Sequence, residues 1–172
     1  MTSSNADAVA RRIADVSADC GISLVASLPD GWITSLITHY AGDARFRHVA
    51  VNREESAIGL CSGAFFSGVG TFALMGASGF LTCIYAITKI NYTYQIPMLF
   101  GITLRGRPGD SAKFHVSNGL YLEPVMAAID IPFVAITRSA DIGELGVAWR
   151  HARTMSRPVV VGFTRAVLRG EA

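Results

Sequence analysis

Six short apolar runs recur along the chain, at Ile22–Ser27, Arg47–Val51, Thr71–Met75, Pro97–Leu104, Ile131–Ile136 and Pro158–Phe163. They lack the polar alternation of a strand with one wet face, so they read as strands buried on both faces. Helical spacings lie between them: Val9, Ile13, Val16 and Cys20; Ile33, Leu36, Ile37 and Tyr40; Ala57, Leu60, Cys61, Ala64 and Phe65. A helix from Phe80 to about Tyr92 follows, then Leu122, Val125, Met126 and Ile129, and lastly Ile142, Leu145, Trp149 and Ala152. Strands joined by helical crossovers must run parallel, and a parallel sheet must be covered on both sides. The pattern predicts a three-layer α/β sandwich with a mostly parallel sheet of about six strands, one domain over residues 1–172.

The chain is 51% apolar and only 16% charged, so part of its surface is expected to lie against another chain. A net charge of +2, with no basic run, argues against nucleic acid. From Ser56 to Thr88 no residue is charged, which is long enough to span a membrane. Gly68, Gly70, Gly76 and Gly79 cut that stretch into pieces too short to do so, and a buried core is the reading adopted. The charged first twenty residues are not a signal peptide. Cys20, Cys61 and Cys83 sit in apolar segments and read as reduced thiols of a cytoplasmic protein. No Cys/His spacing suits a metal.

In such sheets ligands bind beyond the carboxyl ends of the strands. The loops there are Leu28–Trp32, Asn52–Glu55, Gly76–Phe80 and Arg105–His115. The run Arg47–Val51, taken as the central strand, delivers Asn52-Arg53-Glu54-Glu55 to the start of a helix rich in small residues. Carboxyl groups at a helix start are favoured by the helix dipole alone, so Glu54 and Glu55 are not yet a site. Their surroundings add to the case. Gly63 follows Glu54, the next strand ends at Met75-Gly76-Ala77-Ser78-Gly79, and the one after begins at Gln95-Ile96-Pro97.

This pattern resembles the pyrimidine-binding domain of thiamine-diphosphate enzymes. More narrowly, Asn52 to Ala64, Ser78-Gly79, Ile96-Pro97-Met98-Leu99 and Leu104-Arg105-Gly106-Arg107-Pro108-Gly109 resemble sulfopyruvate and phosphonopyruvate decarboxylases. The resemblance implies that Glu54 hydrogen-bonds N1′ of the cofactor's aminopyrimidine and so activates it. It implies further cofactor contacts at Pro29, Ser78 and Gly79, a catalytic His115, and Arg105 and Lys113 as partners of a substrate anion. Glu55 has no matched role and reads as a solvated carboxylate. The Gly-Asp-Gly…Asn motif that holds magnesium and diphosphate in this family does not occur in the chain. The resemblance therefore implies a beta subunit carrying thiamine diphosphate's other half-site and most of the Mg²⁺ contacts, in a hetero-oligomer such as α2β2 or larger. Related decarboxylases carry polar amides where this chain has Gly76, Ala77 and Thr82, which leaves a more apolar 2-oxo acid open. A non-catalytic assembly or regulatory subunit of the same fold is the other alternative.

Overall fold

In a computed structural model, residues 2–172 are described, with side chains from 5 onward. The chain runs through α1 (Thr2–Asp19), β1 (Ile22–Ser27), α2 (Thr34–Gly42), β2 (Arg47–Ala50) and α3 (Glu54–Phe65). Then come β3 (Gly70–Met75), α4 (Ala77–Thr82), α5 (Ile84–Ala86), a π-helical stretch over Ile87–Tyr92, and β4 (Met98–Thr103). It closes with α6 (Val116–Ala128), β5 (Phe133–Ile136), α7 (Glu144–Met155), β6 (Pro158–Phe163) and α8 (Arg165–Leu168). All six strands join one sheet in the order β2-β1-β3-β4-β6-β5, and every neighbouring pair is parallel.

Successive strand residues point to opposite faces, and each face has its own core. On one side Val25, Phe72, Leu74, Leu99 and Val161 pack with Ile13 of α1, Leu36 of α2 and Trp149 of α7. On the other, Ala26, Ala73, Met75, Phe100 and Ile102 pack with Ala57 and Cys61 of α3, Phe80 of α4 and Met126 of α6. Every residue of β4 and β6 is buried, as the unalternating runs require. No described helix is long and apolar enough to cross a membrane. The charge-free stretch instead becomes α3, β3 and α4 to the π turn.

Two expectations need correction. The run at Arg47–Val51 is not central: β2 is an edge strand, paired only with β1, with Arg47 and Ala50 exposed. A charged residue on an edge strand deters pairing with other chains, and Arg47 stands where such a residue belongs. The helix expected from Phe80 to Tyr92 is interrupted at Cys83 and ends in the π turn. There Asn91 is buried, and its Nδ2 donates to the Ile96 carbonyl at 3.3 Å. This contact tightens the return into β4, and apolar periodicity has no means of reporting it.

Side-chain size is limiting where the central strands meet. A Cβ at Gly101 of β4 would stand 2.6 Å from both Leu74 Cδ2 and Phe72 Cζ. Gly63 of α3 has nothing within 4 Å of the same position. Gly101→Ala is therefore expected to cost roughly 1–3 kcal/mol by overpacking, read as a lower urea midpoint. Gly63→Ala should be neutral or gain up to about 1 kcal/mol from helix propensity.

Candidate active site

The crossovers leaving the adjacent strands β1 and β3 cover opposite faces of the sheet, α2 on one and α4 on the other. A crevice therefore opens at the carboxyl ends of β1 and β3, and four loops meet there.

Glu54 opens α3 and is half-buried. It lies directly against Gly79 of α4: a Cβ at Gly79 would collide with the carboxyl group and stand 2.6 Å from Glu54 Cγ and Cδ. Only glycine admits the carboxyl group there. Among the described residues Glu54 has neither a hydrogen-bond donor nor an ion-pair partner on its side chain. Glu55 differs, with Oε2 3.5 Å from Arg53 Nε. Behind them the buried Cys83 thiol is pushed up to about 12, by desolvation first, with Glu55 and Glu54 adding to it. Cys83 is thus a neutral wall of the crevice.

Ser78 is exposed beside Gly79, and its Oγ donates to Asn118 Oδ1 at 3.1 Å. Asn118, in α6, is 2% exposed, and its Nδ2 has no partner. Glu54, Ser78 and Gly79 are therefore one cluster. Pro29 is exposed on the adjoining β1 loop, beside Asp30, which lies against Gly76 rather than against the cluster itself. A Cβ at Gly76, the residue before α4, would stand 2.6 Å from Asp30 Oδ2. Asp30 Oδ2 thus lies in the space that a side chain at Gly76 would enter.

Asp30 begins a chain of charged groups. Its Oδ1 accepts the Trp32 N–H at 2.8 Å, and its Oδ2 accepts from Arg105 Nη2 at 2.7 Å. Arg105 also donates from Nε to Thr103 Oγ1 at 3.3 Å and lies with Cζ 4.9 Å from the Trp32 ring centroid. Its Nη1 meets His115 Nε2, and His115 Nδ1 is 2.8 Å from Asp110 Oδ2. A guanidinium can only donate, so Nε2 accepts and Nδ1 carries the hydrogen toward Asp110. The N–H groups of Gly106 and Ala112 donate to Asp110 as well. The Gly106 bond chiefly, then those from Ala112 and His115, hold the Asp110 carboxyl below its ordinary value.

The structure thus brings Arg105 and His115 together but leaves neither as a free group. Arg105 is committed to Asp30, and His115 is 5% exposed between Arg105 and Asp110. Lys113 is exposed on the outside of the loop, away from this network, while Arg107 pairs with Glu123. Asp30, Trp32, Asp110 and Asn118 escaped the reading of the sequence as site residues. Asp30 and Asp110 lie in loops, where an aspartate is an ordinary turn former, and Asn118 lies in a helix with no local motif.

A depressed carboxyl pKa contributes stability above the unfolded value of 3.8 and loses it as pH falls through the folded one. Protease cleavage within 106–114 should therefore be slow at neutral pH and accelerate below about pH 4. Asp110→Asn should make the loop readily cleaved at neutral pH and remove most of that acid dependence, read by mass spectrometry of limited digests.

No protein-family model matches the chain. It is 30% identical over 115 residues to sulfopyruvate decarboxylase subunit alpha of Methanococcus maripaludis, covering 67% of this chain and 69% of that one. It is 31% identical over 114 residues to the same subunit of Methanocaldococcus jannaschii, covering 66% and 68%. Phosphonopyruvate decarboxylase of Streptomyces viridochromogenes is 30% identical over 145 residues, 83% of this chain but 36% of that protein. Among solved structures, 2-oxoglutarate:ferredoxin oxidoreductase from Magnetococcus marinus superposes with a TM-score of 0.71 at 13% identity, over 95% of this chain and 29% of that one. That likeness establishes the fold. The identities in sequence go further, and this chain belongs to the family of the sulfopyruvate decarboxylase alpha subunits.

Proposed function

We propose that this chain is the alpha subunit of a two-subunit, thiamine-diphosphate-dependent 2-oxo-acid decarboxylase acting on a sulfopyruvate- or phosphonopyruvate-like acid. The observation that carries the reading is Glu54, half-buried, unpartnered, and seated against a glycine whose missing side chain is the space its carboxyl group occupies. A carboxyl group held at the mouth of the crevice with no partner of its own is what a ring nitrogen can pair with, so the residues present suit an aminopyrimidine. When bound, thiamine diphosphate would supply the electron sink that decarboxylation of a 2-oxo acid needs. This chain's part is to hold the pyrimidine end. With the ring bound, the Glu54 carboxyl would share a proton with N1′, Gly79 would leave that carboxyl its space, and Asn118 would hold the Ser78 hydroxyl. Buried Cys83 excludes water behind them.

The diphosphate and Mg²⁺ are assigned mainly to a beta subunit. Three relatives are named as alpha subunits, and this chain matches only 38% of the sulfopyruvate decarboxylase of Methanosarcina acetivorans. The remaining part of such an enzyme would come from another chain. The reading places one domain, 1–172, in the cytoplasm, where three free cysteines stay reduced. The outer face of α3 offers an assembly surface, with open space at Gly59 and Gly63 and Phe66 70% exposed one turn on.

A second reading concerns the substrate. Arg105, the loop cation nearest the crevice, is already neutralised by Asp30, which favours a 2-oxo acid with an apolar tail. Release of CO₂ from sulfopyruvate, phosphonopyruvate, pyruvate and phenylpyruvate by the reconstituted complex separates the two. A purely assembling subunit would have no use for an unpartnered Glu54.

The full chain without its partner should neither decarboxylate these acids nor bind thiamine diphosphate appreciably in calorimetric titration with Mg²⁺. In the reconstituted complex, Glu54→Gln should lower turnover by roughly 10²–10⁴, as loss of a proton-transferring group does, and Glu55→Gln far less. Equal effects would place the activating carboxyl elsewhere. Gly63→Leu should weaken assembly at a cost of roughly 1–3 kcal/mol, visible in light scattering, because it fills the space an incoming backbone needs.

A further inference from the structure

On the α2 side of the Asp30–Arg105 pair, away from Glu54, α8 and the start of α2 enclose a cavity of about 450 Å³. Its lining includes Arg105, Arg165 and Arg169, the hydroxyl residues Thr34 and Ser35, and the indole of Trp32. Neither aspartate nor glutamate is among the described residues that line it. Two guanidiniums share one indole: Arg105 Cζ lies 4.9 Å and Arg165 Cζ 5.6 Å from the Trp32 ring. Arg105 is neutralised from outside the cavity by Asp30. Arg165 forms no ion pair among the described residues, and Arg169 has only Glu171 at 3.8 Å, both about half exposed. An exposed pair of that kind contributes little.

Of the three guanidiniums only Arg165 has no ion pair among the described residues, and no carboxyl group lines this cavity, although Asp110 and Glu171 line the neighbouring one. Arg165 and Arg169, four apart in one short helical segment, repel each other, and a bound anion would relieve that repulsion. Planar guanidiniums and hydroxyls are the donors that tetrahedral oxyanions take up best. The volume exceeds that of a bare ion and suits a small organic molecule. Phe114, 78% exposed at the rim, supplies an apolar surface for its carbon body.

We propose that this cavity is a binding site for a small molecule bearing a phosphate or sulfonate group, distinct from the crevice at Glu54. Oxyanion binding by the chain alone requires no cofactor and does not depend on the decarboxylase reading; only the identification of the anion as the substrate's own would rest on it.

The test titrates the full chain with inorganic phosphate and with sulfate, at ionic strength held constant with chloride, following tryptophan emission. Trp149 is 4% exposed with Nε1 bonded to the Cys20 carbonyl, so the change reports Trp32. A saturable change with both oxyanions, and none with chloride, is expected. Arg165→Gln and Arg169→Gln, both at exposed positions, should each weaken it roughly ten-fold or more, as loss of a charge-assisted hydrogen bond does. Arg165→Lys should recover part of it. A second arm, the KM of the reconstituted complex for a sulfonate-bearing 2-oxo acid, separates the two sources of the anion. A rise in Arg165→Gln identifies the substrate's own sulfonate, and an unchanged KM with lost phosphate binding identifies a separate ligand. A response that never saturates, or that is the same in wild type and both glutamine variants, overturns the proposal.

Discussion

Burial of one parallel sheet on both of its faces is the constraint from which the rest of the structure follows. Strands β1, β3, β4 and β6 have no wet face, so each must be followed by a helix that returns across the sheet. All carboxyl ends then emerge along one edge, and every loop capable of chemistry is gathered there. The same burial explains the glycines of the core. Gly101 has no space for a side chain because Phe72 and Leu74 of the neighbouring strand fill it.

At that edge two carboxyl groups sit against the same short segment, Gly76–Gly79, and fare differently. Asp30 is 10% exposed and accepts from a guanidinium and a backbone N–H, as a carboxylate withdrawn from water must. Glu54 is also only partly buried, but it has no donor among the described residues. A paired charge builds a wall, whereas an unpaired one at the mouth of a crevice is available to a ligand. That contrast, more than the presence of two acidic residues, separates the structural group from the chemical one.

The loop from Arg105 to His115 gains its shape from the same pair. Arg105 ties it to the β1 loop, Asp110 closes it on itself, and Gly106 packs so closely on Gly119 of α6 that a Cβ there would stand 2.7 Å from the Gly119 nitrogen. Arginines that looked interchangeable along the chain are thereby sorted by their neighbours. Arg105 belongs to the wall, Arg107 to Glu123, and Arg165 to a cavity on the other side of Trp32.

Much of this was legible in the amino-acid order. The periodicities located all six strands to within a few residues and made the sheet parallel, because an apolar run with no wet face has few other uses. The order Glu54, Gly63, Ser78-Gly79 and Pro97 pointed to the family and to the carboxyl group proposed to activate the cofactor. Sequence could not place β2 at the edge, since strand order depends on crossovers rather than on composition. It also could not show that Arg105 is spent on Asp30, 75 residues earlier in the chain, or that Asp30 lies against Gly76. Local patterns report which face of an element is buried. Which charges meet across loops is decided only when the sheet brings distant residues to one edge, and there the partner fixes whether a charged side chain binds a ligand or holds the fold.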